Sequence, residues 1–531
     1  MTQEEFQKIC LKKDLLLDDA LLETLSSFSD SEVATQLLEK VKFFLGKKFL
    51  TLSVFKKNEA KVNEIIDKNF SEGKINKTEL RKKLNISSDP PDFSVHENKV
   101  PKKNTPKNSF TPKVLLSPQT TPKKLEVKDF VLFFRNRYNT FKEILELNPS
   151  LENLTSINKL SNEKQKISVV GIVTEKKITK NNNLVLEIED PTGKIKVIIN
   201  SGKEDLLKEG EDIVLDSVLG FKGTGNNEVL FANEIIFPEA NLTERKKSDK
   251  EEYALFIGDV HYGSKNFLEK SFLKFIDYLN GNVPDTPESR KIKYLFIVGD
   301  LITGVGNYPN QELDLKVPNL ETQFANIAAL LGKIRKDIQI IISPGNHDCV
   351  RLMEPQPLLD EAYAWPLYEL ENVTLTGNPS LINICEGENF NGFKVLTYHG
   401  FSFPYYANTV PKLISDKAMN QPEKIMKFLL KHRHLAPTHT STQYFPSEKD
   451  NLIIREIPDI FVSGHTHKSG VTHFNNILLI SVSSWEGFTS YQERFGNKPD
   501  HCKVPMLNLN TRQIKILDFE TEEEGIRLYQ E

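Results

Sequence analysis

Five short stretches of the chain follow an apolar run with side chains able to bind a cation. "YALFIGDVHYGS" carries Asp259 and His261, "KYLFIVGDLITG" carries Asp300, and "IIISPGNHD" carries Asn346, His347 and Asp348. "FKVLTYHGFS" carries His399, and "DIFVSGHTHKSG" carries His465 and His467. Polar groups at the end of a buried strand cost free energy unless each finds a partner. A glycine sits beside each set (Gly258, Gly299, Gly345, Gly400 and Gly464), where it lets the backbone turn sharply. A single D-x-H pair or strand-end histidine is most often an ordinary hydrogen-bonded residue. Five strand ends built alike exceed what packing requires. Ligands of open α/β sheets bind outside the carboxyl ends of the strands, so these five ends can meet in one crevice.

The set combines imidazole, carboxylate and amide oxygen and holds no thiolate. That suits first-row divalent ions, manganese first, with iron, zinc or magnesium as alternatives, better than calcium. Asp300 is the natural bridge, because one carboxylate has two oxygens and can hold two cations about 3.5–4 Å apart. Such a pair acidifies a shared water, polarises a phosphoryl group and neutralises its growing charge, so hydrolysis of a phosphate ester is the expected reaction. His347 is placed to give a proton to the leaving oxygen, with the adjacent Asp348 as the acceptor that orients its ring.

The elements that must position these residues follow from pattern. From Tyr253 onward, strand, loop and helix alternate, which predicts a layered α/β domain over 253–531. Upstream, an amphipathic helix over Val127–Leu145 precedes alternating runs broken by turns from about Lys166 to Pro238. These predict a five-stranded barrel of the oligonucleotide-binding type, in a domain over 126–242. Its aromatics are Phe221, Phe231 and Phe237, a sparse set that leaves nucleic-acid contact and scaffolding equally open. The Pro- and Lys-rich stretch 85–125 has too few apolar residues to order itself and is expected to be a disordered linker. Residues 1–84 are expected to form a helical module, with Leu17, Leu21, Leu25 and Phe28, then Val33, Leu37, Val41 and Phe44, at helical spacing. Ser29 and Glu32 would cap the second run. The fold class is thus α/β and β, multidomain.

At 531 residues the chain exceeds what one core usually supports. Its 38% hydrophobic and 27% charged residues fit a soluble globular protein, and a formal charge of -4 gives no global signal for nucleic acid. Cys10, Cys349, Cys385 and Cys502 are scattered, which argues against a disulfide framework and a cysteine zinc site. Met1 to Asp14 lacks the apolar core of a signal peptide, and no stretch approaches the ~18 apolar residues of a membrane span. A cytoplasmic protein without membrane contact is expected.

In their order over Asp259 to His467, D-x-H, GD, GNHD, H-G and GHTH resemble the calcineurin-like binuclear metallophosphoesterases. The resemblance implies that Asp259, His261, Asp300 and His467 hold one ion, and Asp300, Asn346, His399 and His465 the other. It also implies a layered β-sandwich flanked by helices. "KFLLKHRHLAP" (Lys427 to Pro437), then "KDNLIIREIPDIFVSGHTH", behind a barrel, is similar to the small subunits of archaeal D-family DNA polymerases, within the polymerase B-subunit family. This likeness implies a 3′-to-5′ proofreading exonuclease that acts at the primer 3′ end beside chromosomal DNA and scaffolds a separate large catalytic subunit. A sliding clamp or primase is a further partner it leaves open. "THTSTQYF" departs from the pattern by lacking a glycine-rich turn; His432, His434 and His439 are expected to be surface or packing residues. Two other readings stand beside this one: a catalytically idle accessory subunit, and a free-standing phosphodiesterase.

Overall fold

The computed structural model describes residues 3–13, 15–27, 31–45, 49–57, 59, 62–63, 65–66, 77–84, 111–118, 123–489, 498–520 and 527–530. The chain divides into two compact units, Met1–Pro106 and Lys107–Glu531. In the first, helices Gln3–Lys12, Asp19–Ser26, Ser31–Leu45, Leu52–Lys57 and Lys77–Leu84 accompany two short parallel strands, β1 (Leu16–Leu17) and β2 (Phe49–Leu50). Leu21, Leu25, Val33, Leu37 and Val41 enter one buried cluster with Phe6, Phe55 and Leu80, as apolar residues three or four apart do on one helix face. Leu17 lies outside the helix assigned to it. Asp18 caps the helix instead, its carboxylate accepting from the Leu21 N–H at 3.0 Å, so the turn before it is free to pair as β1. Phe28 and Ser29 lie outside the described residues.

The second unit begins with a correction. Within the stretch expected to be disordered over 85–125, Lys113–Leu116 form a strand, β3. Four residues are lost in an average over forty, and what orders them is main-chain pairing to a neighbouring sheet edge, together with Leu116 packing on a buried cluster. Residues 85–110 and 119–122 of that stretch lie outside the described residues.

Strands β4 (Gln165–Ile178), β5 (Leu184–Asp190), β6 (Gly193–Ile199), β7 (Val218–Gly225) and β8 (Val229–Ile236) close into a barrel in the order β4-β5-β6-β8-β7. The period of two turns Leu186, Ile188, Ile195 and Val197 inward onto Phe221 and Leu230. Asp190 makes the β5–β6 turn by accepting from the N–H groups of Thr192 at 2.7 Å and Gly193 at 3.0 Å. The helix Val127–Glu146 sends Tyr138, Phe141 and Leu145 against the barrel and Phe133 against the remainder of the unit.

That remainder is a two-sheet sandwich. One sheet has seven strands in the order β12-β11-β10-β9-β18-β19-β20. Here β9 is Tyr253–Ile257, β10 Ile292–Val298, β11 Gln339–Ser343, β12 Val373–Leu375, β18 Lys503–Asn508, β19 Ile514–Asp518 and β20 Arg527–Gln530. The other has six, β16-β17-β15-β14-β13-β3, with β13 Ser380–Ile384, β14 Phe393–Tyr398, β15 Ile460–Ser463, β16 Gly470–Phe474 and β17 Ile477–Ser481. Ala254 and Phe256 face the second sheet while Leu255 and Ile257 face the helices, which is why β9 is apolar throughout. The five strands that carry the motifs are therefore shared between two sheets, three in one (β9, β10, β11) and two in the other (β14, β15), so the crevice lies across a sandwich.

Candidate metal centre

Each motif begins within two residues of its strand's last residue, and the parallel pairing of β9, β10 and β11, and of β14 and β15, puts all five ends on one side of the sandwich. The backbone there is unusual. Asp259 (φ 47°), His261 (φ 50°), Asp300 (φ 48°), His465 (φ 67°) and His467 (φ 54°) all lie in the left-handed region. Asp and His are among the few side chains that tolerate it, at a cost of roughly 1–2 kcal/mol each. Such strain persists only where the surroundings over-determine it, and it collects at functional sites.

Asp259, His261, Asp300 and His399 are buried. The ligand-type atoms of Asp259, His261 and His467 lie within 4.8 Å of one another, as do those of Asp300, His399 and His465, and those of His261, Asp300 and His347. Asp300 thus belongs to both sides. His261 Nε2 and His467 Nε2 stand 3.2 Å apart, and His467 Nε2 is 3.5 Å from Asp259 Oδ1. On the other side His399 Nε2 is 3.2 Å from Asp300 Oδ2 and 3.0 Å from Asn346 Oδ1. Both carboxylate oxygens of Asp259 accept from the His465 N–H, at 3.1 and 3.0 Å, which ties the β9 loop to the β15 loop.

This donor set fits divalent cations. His399 Nδ1 donates to the Val298 carbonyl oxygen at 3.3 Å, so its Nε2 lone pair faces two further lone-pair donors, an arrangement that needs a positive charge between them. Without an ion a proton fills that need. Burial alone would lower the His399 pKa, but Asp300 and Asp259 outweigh it and lift it to about 10. Burial and the imidazole of His347 hold His261 well below the usual range, and burial with His399 beside it pushes His465 down to about 3, so both keep free lone pairs. Asp300 stays ionised: burial raises its carboxyl, and His399 and His347 more than reverse this. Two glycines leave room for the cluster. A Cβ on Gly464 would meet Asp259 Oδ2 at 2.6 Å, and one on Gly299 (φ +77°) would run into the His399 ring.

His347 is half-buried, and its Nδ1 donates to the Thr303 carbonyl oxygen at 3.0 Å, the oxygen that also accepts from Asn307 Nδ2 at 3.0 Å. Asp348 does not orient it as expected. Its Oδ1 accepts from the Ile302 N–H at 2.9 Å and its Oδ2 from the Gly345 N–H at 2.8 Å, because the loop turns back over β10 and successive side chains diverge. Burial and the neighbouring Asp300 raise the Asp348 carboxyl to about 7. The structure thus gathers Asp259, His261, Asp300, Asn346, His347, His399, His465 and His467 at one site, and makes Asp348 a brace for its main chain. Sequence reasoning passed over Thr303 and Asn307, which hold His347, and Glu486, a buried acid that adds to Asp259 in raising the His467 pKa. A carbonyl oxygen and single polar side chains in loops leave no spacing signal. His432 and His434 are buried in packing, away from the cluster.

Residues 254–469 match the family model of the calcineurin-like phosphoesterases. Sandwich and strand-end cluster together define that class of domain. The chain is 34% identical over 398 residues to the DNA polymerase II small subunit of Methanothermobacter thermautotrophicus, covering 74% of this chain and 80% of that protein. It is 36% identical over 403 residues to the subunit of the same name from Pyrococcus furiosus, covering 74% of this chain and 64% of that longer protein. With the Archaeoglobus fulgidus subunit it shares 34% identity over 377 residues, 70% of this chain and 73% of that one. The chain belongs to the family of DNA polymerase II small subunits. Among the described residues no helix is long and apolar enough to cross a membrane.

Proposed function

We propose that this chain is the nuclease subunit of a DNA polymerase, removing mismatched nucleotides from the primer 3′ end for a separate large catalytic subunit. The observation that carries the reading is the convergence of seven ligand-type side chains from five strand ends, with ligand-type atoms 3.0–3.5 Å apart around a shared Asp300. Manganese, held by Asp259, His261, Asp300 and His467 on one side and by Asp300, Asn346, His399 and His465 on the other, would supply Lewis acidity toward phosphoryl oxygens and acidify water.

The chain's own residues orient and move protons. The Val298 carbonyl keeps the His399 proton on Nδ1, so Nε2 points inward. The Thr303 carbonyl holds Nδ1–H of His347 and leaves its Nε2 toward the reacting phosphodiester. As an imidazolium, His347 gives its Nε2 proton to the 3′ oxygen of the penultimate nucleotide as that bond to phosphorus breaks. The barrel, read as an oligonucleotide-binding type, and the helix Val127–Glu146 offer the docking surface for the large subunit. Val127 is 81% exposed on that helix and Phe231 is 50% exposed on the barrel, apolar side chains that a partner would cover.

The test is release of mononucleotides from a 5′-labelled primer with a mismatched 3′ end, in manganese. Stepwise shortening from the 3′ end is expected, and Asp259→Ala and His347→Ala should each remove most of it. Unchanged rates in both variants, or release from the 5′ end, would overturn the proposal.

A further inference from the structure

Behind the His399 side of the cluster lies a fully buried polar group that the hydrolytic reading leaves unused: Glu354, Gln356 and Asn378, each at most 1% exposed. Asn378 Oδ1 accepts from the His399 N–H at 2.9 Å. Its Nδ2 donates to Gln356 Oε1 at 2.7 Å and to Glu354 Oε1 at 3.4 Å. Gln356 in turn donates from Nε2 to the carbonyl oxygen of Gly345 at 3.4 Å, the residue before Asn346. The main chains of Gln356 and Asn378 are paired in both directions, at 2.7 and 3.1 Å, so the two amides cannot move apart independently. Glu354 Oε2 also accepts from the hydroxyl of Tyr398, the residue before His399, at 2.9 Å.

We propose that Asn378 is a positioning residue for one of the two ion sites, a buried amide that clamps the loop bearing Asn346 to the loop bearing His399. Those two side chains meet at 3.0 Å, they come from different sheets, and the pair of amides links the backbone at His399 to that at Gly345. Asp259, His261 and His467 make none of these contacts, so the clamp acts on one ion site and spares the other. The inference rests on the two-ion reading of the cluster.

The experiment titrates the full-length, metal-free chain with manganese chloride by calorimetry. Wild type is expected to take up two ions. Asn378→Ala should weaken one of them about 10–100-fold, the range seen when a ligand's outer support is removed, and leave the other within about twofold. Gln356→Met fills the same volume without the amide and should give the same one-sided loss if Asn378→Ala fails to fold, with near-ultraviolet circular dichroism reporting the packing. Equal weakening of both sites, or no weakening in a folded variant, overturns the clamp. A wild-type chain that binds fewer than two ions overturns the two-ion reading itself, and the clamp with it.

Discussion

Arg137 and Asp450 are joined by an ion pair, Nε to Oδ2 at 2.7 Å, with both side chains wholly buried. They come from the helix before the barrel and from the segment before β15, so this one contact ties the two halves of the second unit together. The guanidinium also donates from Nη1 to the Pro437 carbonyl at 2.7 Å and lies 4.9 Å from the centre of the Tyr444 ring. Removing one partner leaves the other charge buried and uncompensated, which costs about 3–5 kcal/mol. Arg137→Met should therefore lower the urea midpoint by that equivalent, while Arg137→Met with Asp450→Leu should recover most of it.

The same pair sets a pH dependence. His434 donates from Nε2 to Asp450 Oδ2 at 2.9 Å and accepts at Nδ1 from the Ala436 N–H at 3.0 Å, so the fold holds it neutral. Burial, then Arg137, pushes its pKa down to about 4. The folded state thus binds fewer protons than the unfolded one below pH ~6.5. This contribution is fully present above ~6.5 and is lost as pH falls toward 4, amounting to about 3 kcal/mol. His434→Gln can keep both hydrogen bonds without titrating. Its stability, measured by urea unfolding at pH 7 and 4.5, should fall by less than that of wild type over the same interval.

Gly299 has φ +77° and its missing Cβ would occupy the space of the His399 ring. Gly299→Ala combines overpacking with left-handed strain and should destabilise by at least about 2 kcal/mol. Calorimetric manganese uptake should drop by one ion per chain even where the variant folds.

Chelation gives a separate readout. Ions that bind only the native state raise its stability by about 2.7 kcal/mol per site at a free concentration a hundredfold above the dissociation constant. Excess chelator should lower the melting temperature of wild type, and Asp259→Ala should show a much smaller difference between loaded and chelated samples.

His347→Ala separates chemistry from ion binding. If His347 gives a proton and is not a ligand, the variant takes up manganese as wild type does while phosphodiester hydrolysis falls about 10²–10⁴-fold. Asn307→Ala, which loosens the ring without removing it, should fall by less.

The ligand-type residues were legible because each set follows an apolar strand and has a glycine beside it, a local pattern that survives without knowledge of the fold. What the sequence withheld is non-local. That β9–β11 and β14–β15 belong to different sheets depends on which edges pair, as where Lys503–Asn508 returns to lie beside Tyr253–Ile257. The roles of Thr303, Gln356 and Asn378 depend on a main-chain oxygen or on lone amides, which carry no periodicity. β3 was hidden by its Pro- and Lys-rich surroundings, and Asp348 by its neighbour: adjacency in sequence suggested contact with His347, whereas the turn sends the two side chains apart.

The left-handed backbone at Asp259, His261, Asp300, His465 and His467 also constrains how this protein can change over generations. Asn or Gly at these positions would suit that conformation and leave the corners of the sandwich unstrained. Replacement by Val or Ile adds steric conflict at the very corners where the strands turn. The ligand-type side chains can thus be lost by only a few narrow mutational routes, and those routes preserve the shape of the loops.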